Sequence, residues 1–149
     1  MSLTEKVAAD LINAMKSKDK VSLEAIRAAK TAFLLAHSEK GQGSVLTEEE
    51  ELKIIQKLVK QRRESAEIYK TQNRPDLFEK EVAEADILEK YLPAKISDAE
   101  LTSVVKAVIE KTGAVSIADL GKVMGAAMKE LAGKADGKEI SSKVKQLLG

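Results

Sequence analysis

Apolar residues recur three and four positions apart along nearly the whole chain, and prolines interrupt it only at Pro75 and Pro93. Such spacing lines up one face of an α-helix, whereas a half-buried strand needs strict alternation. No segment sustains that alternation, so the pattern predicts an all-α protein. At 149 residues the chain has room for one domain or two small ones. About two-thirds of its extended surface can be buried at that size.

Helix punctuation is explicit. Ser2 and Glu5, Thr47 and Glu50, and Ser97 and Glu100 each stand three apart, the spacing of a capping box. The first box precedes a helix carrying Leu3, Val7, Leu11, Ile12 and Met15. A second helix carries Leu23, Ile26, Phe33 and Leu34, and Gly41 to Ser44 forms a flexible loop. The acidic run Glu48 to Glu51 reads as the start of a long third helix, reaching about Thr71. Pro75 opens a fourth. After Tyr91-Leu92-Pro93 come three more helices: one ended by Gly113, one capped by Ser116 and ended by Gly133, and one started by Asp136. The predicted organisation is an N-terminal helical region, residues 1–93, and a C-terminal three-helix unit, residues 94–149.

Composition removes several function classes. There is no cysteine and only one histidine, His37, which excludes thiolate chemistry and two-His metal sites. Aromatics are 3% of the chain, too few for the usual stacking platform for single-stranded RNA. The net charge is only +1, so any footprint on a polyanion must be local. Residues 120–149 hold six Lys against three Asp or Glu, which puts the basic excess at the C-terminal end. No apolar signal core opens the chain and no run is long enough to span a membrane, which predicts a cytoplasmic protein without a membrane partner. Gly133-Lys134-Ala135-Asp136-Gly137-Lys138 looks superficially like a phosphate loop but lacks the hydroxyl residue after the lysine and the preceding strand. No catalytic residue, metal cluster or cofactor site is predicted.

Two features break the helical pattern. Arg62 falls in the middle of the third helix's apolar stripe of Leu52, Ile55, Val59, Ala66 and Tyr69. Glu81 falls in the middle of the fourth's. A short turn should pack these helices antiparallel, and the favoured reading is a buried Arg62–Glu81 pair; the alternative is an arginine waiting for a phosphate. The second feature is Gly121-Lys122-Val123-Met124-Gly125 inside a helix, where each glycine costs about 1 kcal/mol relative to alanine. A wheel puts Ile117, Leu120, Met124, Ala127, Met128 and Leu131 on one face, with Ala118, Gly121 and Gly125 on its shoulder and Lys122 and Lys129 just beyond. Close packing of another helix explains this strip; so does approach of a phosphate backbone, with lysines as counter-charges.

Together the Gly121–Gly125 and Gly133–Lys138 segments resemble the C-terminal signature of the GatB/YqeY family. Lys60 to Ala66, Asn73 to Leu77, Glu81 and Tyr91 to Pro93 are similar to its earlier blocks, so the resemblance spans essentially the whole chain. It implies a stand-alone relative of the helical and tail domains of the tRNA-dependent amidotransferase B subunit, without the portion that holds ATP. A family label of carbon–nitrogen ligase with glutamine as amido-N-donor comes with that resemblance, but no residue here supports the chemistry in isolation. What carries over is the tail's RNA contact, onto Gly121, Lys122, Gly125, Lys129, Lys134 and Lys138. The expectation is a non-catalytic tRNA-binding module, working alone or with an amidotransferase or aminoacyl-tRNA synthetase complex. The alternatives are a protein-interaction module and a part of an amide-transfer system. Lys60, Arg63 and Arg74 are the fallback RNA contact.

Overall fold

A computed structural model describes all residues, Met1 to Gly149. Seven α-helices and one 3-10 turn make up its regular structure, with no strand: α1 (Leu3–Ser17), α2 (Lys20–Lys40), α3 (Glu48–Thr71), α4 (Pro75–Glu89), α5 (Asp98–Thr112), α6 (Leu120–Glu130) and α7 (Gly137–Leu148). The chain divides into two compact units, Met1–Leu92 and Pro93–Gly149.

In the first unit, capping chemistry sets the helix starts. Ser2 and Glu5 satisfy each other's backbone N–H at the head of α1, and Thr47 and Glu50 do the same for α3. Lys18 adopts a left-handed conformation after α1, and Asp19 accepts from the Ser22 N–H to begin α2. The core draws on all four helices: Val7 and Leu11 from α1, Ile26 and Phe33 from α2, Ile55 and Val59 from α3, and Leu88 from α4. The predicted faces of α1 and α2 are too wide. Ile12, Met15 and Leu34 remain exposed, while Ala14, Ala25 and Ala29 occupy the buried positions. Small residues there let the helices approach closely, leaving no inward space for the larger flanking side chains.

Glu51 has a role that its place in an acidic run conceals. It is only 3% exposed. One carboxylate oxygen accepts both the Thr4 N–H and the Thr4 hydroxyl at 2.6 Å. A carboxylate from α3 thus satisfies an otherwise unpaired donor in the first turn of α1, at the positive end of that helix.

The α3–α4 hairpin corrects the predicted ion pair. Arg62 faces Glu84, not Glu81: Nε lies 4.0 Å from Glu84 Oε2. Asn73 stands 11 residues after Arg62 and 11 before Glu84, so an antiparallel hairpin centred on Asn73 pairs these two positions directly. Glu81 lies a turn nearer the hairpin and is half-buried. Arg62 Nη1 donates to the Leu58 carbonyl at 3.3 Å, while its buried Nε has no hydrogen-bond partner. Glu84 is 7% exposed. Its burial raises the carboxyl above the ordinary glutamate value; Arg62 opposes that shift and Glu81 adds to it.

Stability should respond in three ways, all readable by urea unfolding. Glu51→Ala costs about 1–3 kcal/mol, because a cap and a charged, buried hydrogen bond are lost together. Arg62→Met costs about 3 kcal/mol by leaving Glu84 buried without a counter-charge, and Arg62→Met with Glu84→Met recovers most of it. For pH, a raised folded-state value means the unfolded chain releases this proton first. The stability tied to Glu84 is therefore present below its unfolded value and lost as pH rises through the folded one. Arg62→Met extends that decline to higher pH, and Glu84→Gln removes it.

Candidate nucleic-acid interface

The second unit is built from α5, α6 and α7 around Leu101, Val105, Val108, Val123, Ala127, Leu131, Ile140 and Val144. Ser97 accepts from the Glu100 N–H at the head of α5, forming one half of the predicted box. Gly113 ends α5 with φ at 70°, a left-handed conformation that favours glycine. The start of the sixth helix differs from expectation. Ser116 makes no side-chain cap; Ile117–Asp119 form a 3-10 turn, and Asp119 Oδ2 accepts the Val115 N–H at 3.0 Å.

That turn takes Ile117 and Ala118 out of α6, so they do not share its wheel. Val123, Ala127 and Leu131 are the buried line; Met124 and Met128 are half-buried, and Ile117 is 49% exposed. Relative to Val123, Gly121 and Gly125 lie on the opposite side of the helix. Both are exposed, and a Cβ added at either would meet nothing within 4 Å. Within the second unit no helix packs on the strip, so its glycines are not explained by close packing among α5, α6 and α7. Lys122 and Lys129 are also exposed, on the flank away from the core.

The Gly133–Lys138 segment turns the chain between α6 and α7. Lys134 and Ala135 donate their N–H groups back to the Leu131 carbonyl, at 2.9 and 3.3 Å. Gly133 is buried with φ at 76°, and the Lys134 carbonyl accepts the Ile96 N–H at 3.2 Å. Asp136 then caps α7 through the Glu139 N–H at 2.8 Å. The amides a phosphate cradle would need at Lys134 and Ala135 are therefore occupied. At Gly137 a Cβ would make an ordinary contact with Met128 Cε, 3.5 Å away.

Lys134 and Lys138 are exposed, but they border grooves along α5. Lys134 faces Ala94 to Val104, and Lys138 lies in a groove shared with Asp98, Asp136 and Glu139. The six predicted residues thus fall into two groups, the α6 strip with its lysines and the two lysines of the turn. Charge pairing separates the basic residues further. Lys143 bonds Asp98 at 2.9 Å and Lys95 lies 3.5 Å from Glu139. Lys122, Lys129, Lys134 and Lys138 form no ion pair. Sequence spacing could not distinguish these sets, because the partners come from other helices. In the fallback group, Arg63 is held by Asp86 and Glu89 at 2.7 and 2.6 Å, and Arg74 by Asp76 at 3.1 Å, leaving Lys60.

No three His, Asp or Glu side chains converge where they could hold a metal ion. No helix is long and apolar enough to cross a membrane.

Comparison with known proteins places this arrangement in a family. Residues 4–148 match the family described as Yqey-like protein. The chain is 33% identical over 150 aligned residues to altered inheritance of mitochondria protein 41, mitochondrial, from Pyrenophora tritici-repentis. That similarity covers 97% of this chain and 80% of the fungal protein. With the match running through both compact units, the chain belongs to the YqeY-like family.

Proposed function

We propose that this protein is a non-catalytic RNA-binding module, with tRNA as its ligand, and that the exposed face of α6 carries the contact. The observation behind this reading is the open strip at Gly121 and Gly125 beside Lys122 and Lys129, neither of which is neutralised by an acid. Where no Cβ intervenes a phosphate can approach the helix backbone, and unpaired lysines supply counter-charge without reading base identity. Lys134 adds an unpaired cation on the neighbouring turn, whereas Lys138 shares its groove with Asp98, Asp136 and Glu139. An amidotransferase or aminoacyl-tRNA synthetase complex is the setting such a module would serve. The cytoplasmic tRNA pool is the first candidate and an organellar one the second, given the mitochondrial name of the fungal relative.

The same strip supports a second reading. A bare helix face with two glycines also accepts a partner helix at close range, which would make the protein an interaction module. The two differ in their dependence on salt.

Binding of total tRNA, measured by fluorescence anisotropy across a salt series, tests the proposal. Affinity should fall as salt rises. Lys122→Ala with Lys129→Ala should weaken binding and lower the steepness of the salt dependence by about 2, one per phosphate contact, at unchanged helicity. Gly125→Leu should block approach by bulk, with thermal unfolding as the control for packing. Unchanged tRNA affinity in the folded double lysine variant would move the contact off α6. A second expectation concerns chemistry: purified protein given Glu-tRNA, ATP and glutamine should form no Gln-tRNA. Stoichiometric product, free of any copurifying amidotransferase, would make the protein part of an amide-transfer system.

A further inference from the structure

The first unit contains a cavity of about 310 Å³ that the RNA reading does not use. Its wall is largely apolar, with Ala8 of α1, Phe33 and Leu34 of α2, and Val45 and Leu46 before α3. Two carboxylates, Glu5 and Glu51, line it against one lysine, Lys30. Glu5, Lys30 and His37 are exposed at the rim, whereas Glu51 is 3% exposed. The one ionisable side chain buried in the lining is therefore an acid.

The chain uses only half of that acid. Both Thr4 donors converge on Glu51 Oε2. Oε1 accepts no hydrogen bond, and no lysine or arginine pairs with the carboxylate. Nor is Oε1 sealed inside protein, because Arg62 Nε is the only fully buried side-chain polar atom left without a partner. Such an oxygen takes a donor that enters the cavity, and a cationic donor balances the buried charge as well.

An anion finds the opposite. The head of α1 is the kind of place where one would bind, yet its amides are taken: Thr4 N–H by Glu51, Glu5 N–H by Ser2 Oγ at 3.2 Å, and Lys6 N–H by the Ser2 carbonyl at 2.9 Å. Lys30 alone offers an anion charge, from an exposed side chain whose ammonium is hydrated at the rim.

The apolar lining defines the rest of the ligand. Leu34 and Val45 line the cavity yet are 61% and 77% exposed, so apolar surface runs from the interior out to the mouth. A buried acid with apolar surface leading outward matches a molecule that enters charged head first. The volume is at the small end of ligand pockets and limits the body to a compact one.

We propose that this cavity is a binding site for a small amine, whose ammonium donates to Glu51 Oε1 and whose apolar body lies against Phe33, Leu34, Val45 and Leu46. The site lies in the first unit and does not depend on the RNA reading of α6.

The test titrates the full chain, ¹⁵N-labelled, with phenethylamine, and with phenethyl alcohol and hydrocinnamate as neutral and anionic counterparts of similar shape. The amine should give saturable shifts at the amides of Thr4, Ala8, Phe33, Leu46 and Glu51, and each counterpart should bind at least about tenfold more weakly. Glu51→Gln keeps an acceptor for Thr4, so folding should survive, and it should remove the preference for amine over alcohol. Leu34→Ser, at an exposed position, should weaken amine binding about threefold with the preference intact, and it serves as the variant if Glu51→Gln does not fold. Absence of saturable shifts at the cavity with millimolar amine, or equal affinity for amine and alcohol, would overturn the proposal. Tighter binding of hydrocinnamate would make this an anion site, and a preference that survives in folded Glu51→Gln would place the ammonium elsewhere; either overturns it too. A lysine-rich helical peptide that outcompetes the free amine would make the occupant a partner protein and overturn the small-molecule assignment.

Discussion

A single carboxylate ties together two helix beginnings in the first unit. Glu51 is in the first turn of α3, and its side chain closes the first turn of α1 through Thr4. Isolated helix starts carry unpaired N–H groups that water ordinarily satisfies. Here a residue 47 positions away satisfies one of them inside the protein. The bond brings the heads of α1 and α3 to the same place, and the cavity opens beside that junction. Ile55 and Val59 continue along the inward face of α3 from Glu51 at helical spacing, so the junction and the core share one register.

The hairpin of α3 and α4 continues that register by a different means. Its turn has Asn73 in a left-handed conformation with φ at 56°, and Pro75 in the first turn of α4. Arg62 and Glu84 then stand opposite each other across the hairpin. Their geometry is poor for stability, at 4.0 Å with a buried Nε unpaired. Such a pair restricts which register the seam can adopt more than it lowers the energy of the right one. Tyr91 ends this unit by donating to Asp10 at 2.6 Å, which ties the segment after α4 back to α1.

In the second unit the glycines divide by role. Gly113 and Gly133 adopt left-handed conformations that let the chain reverse. Gly121 and Gly125 do not. They weaken a helix by roughly 2 kcal/mol together relative to alanine, and a Cβ at either would meet nothing in this unit. That cost without a return inside the unit is the physical basis of the proposal that a phosphate backbone meets this face. The family itself supplies no role for individual residues, so the assignment of Lys122 and Lys129 rests on exposure and on the absence of acidic partners.

The all-α class, the helix order and most helix ends were legible in the amino-acid sequence alone. Those depend on periodicity and on caps whose donors and acceptors lie within four residues. Thr47 and Glu50, or Asp136 and Glu139, meet through local geometry. Features that need a partner from another element were settled by the tertiary fold. It chose Glu84 over Glu81 for Arg62, because hairpin register sets which turn of α4 faces α3. It turned Glu51 from a member of an acidic run into a buried cap, because the head of α1 lies against it. It set the core line of α6 on Val123, Ala127 and Leu131, because α5 and α7 pack against that face. It also separated neutralised lysines such as Lys143 from free ones such as Lys122. A charge is visible in a sequence, but its compensation depends on distances of a few ångströms between residues far apart along the chain.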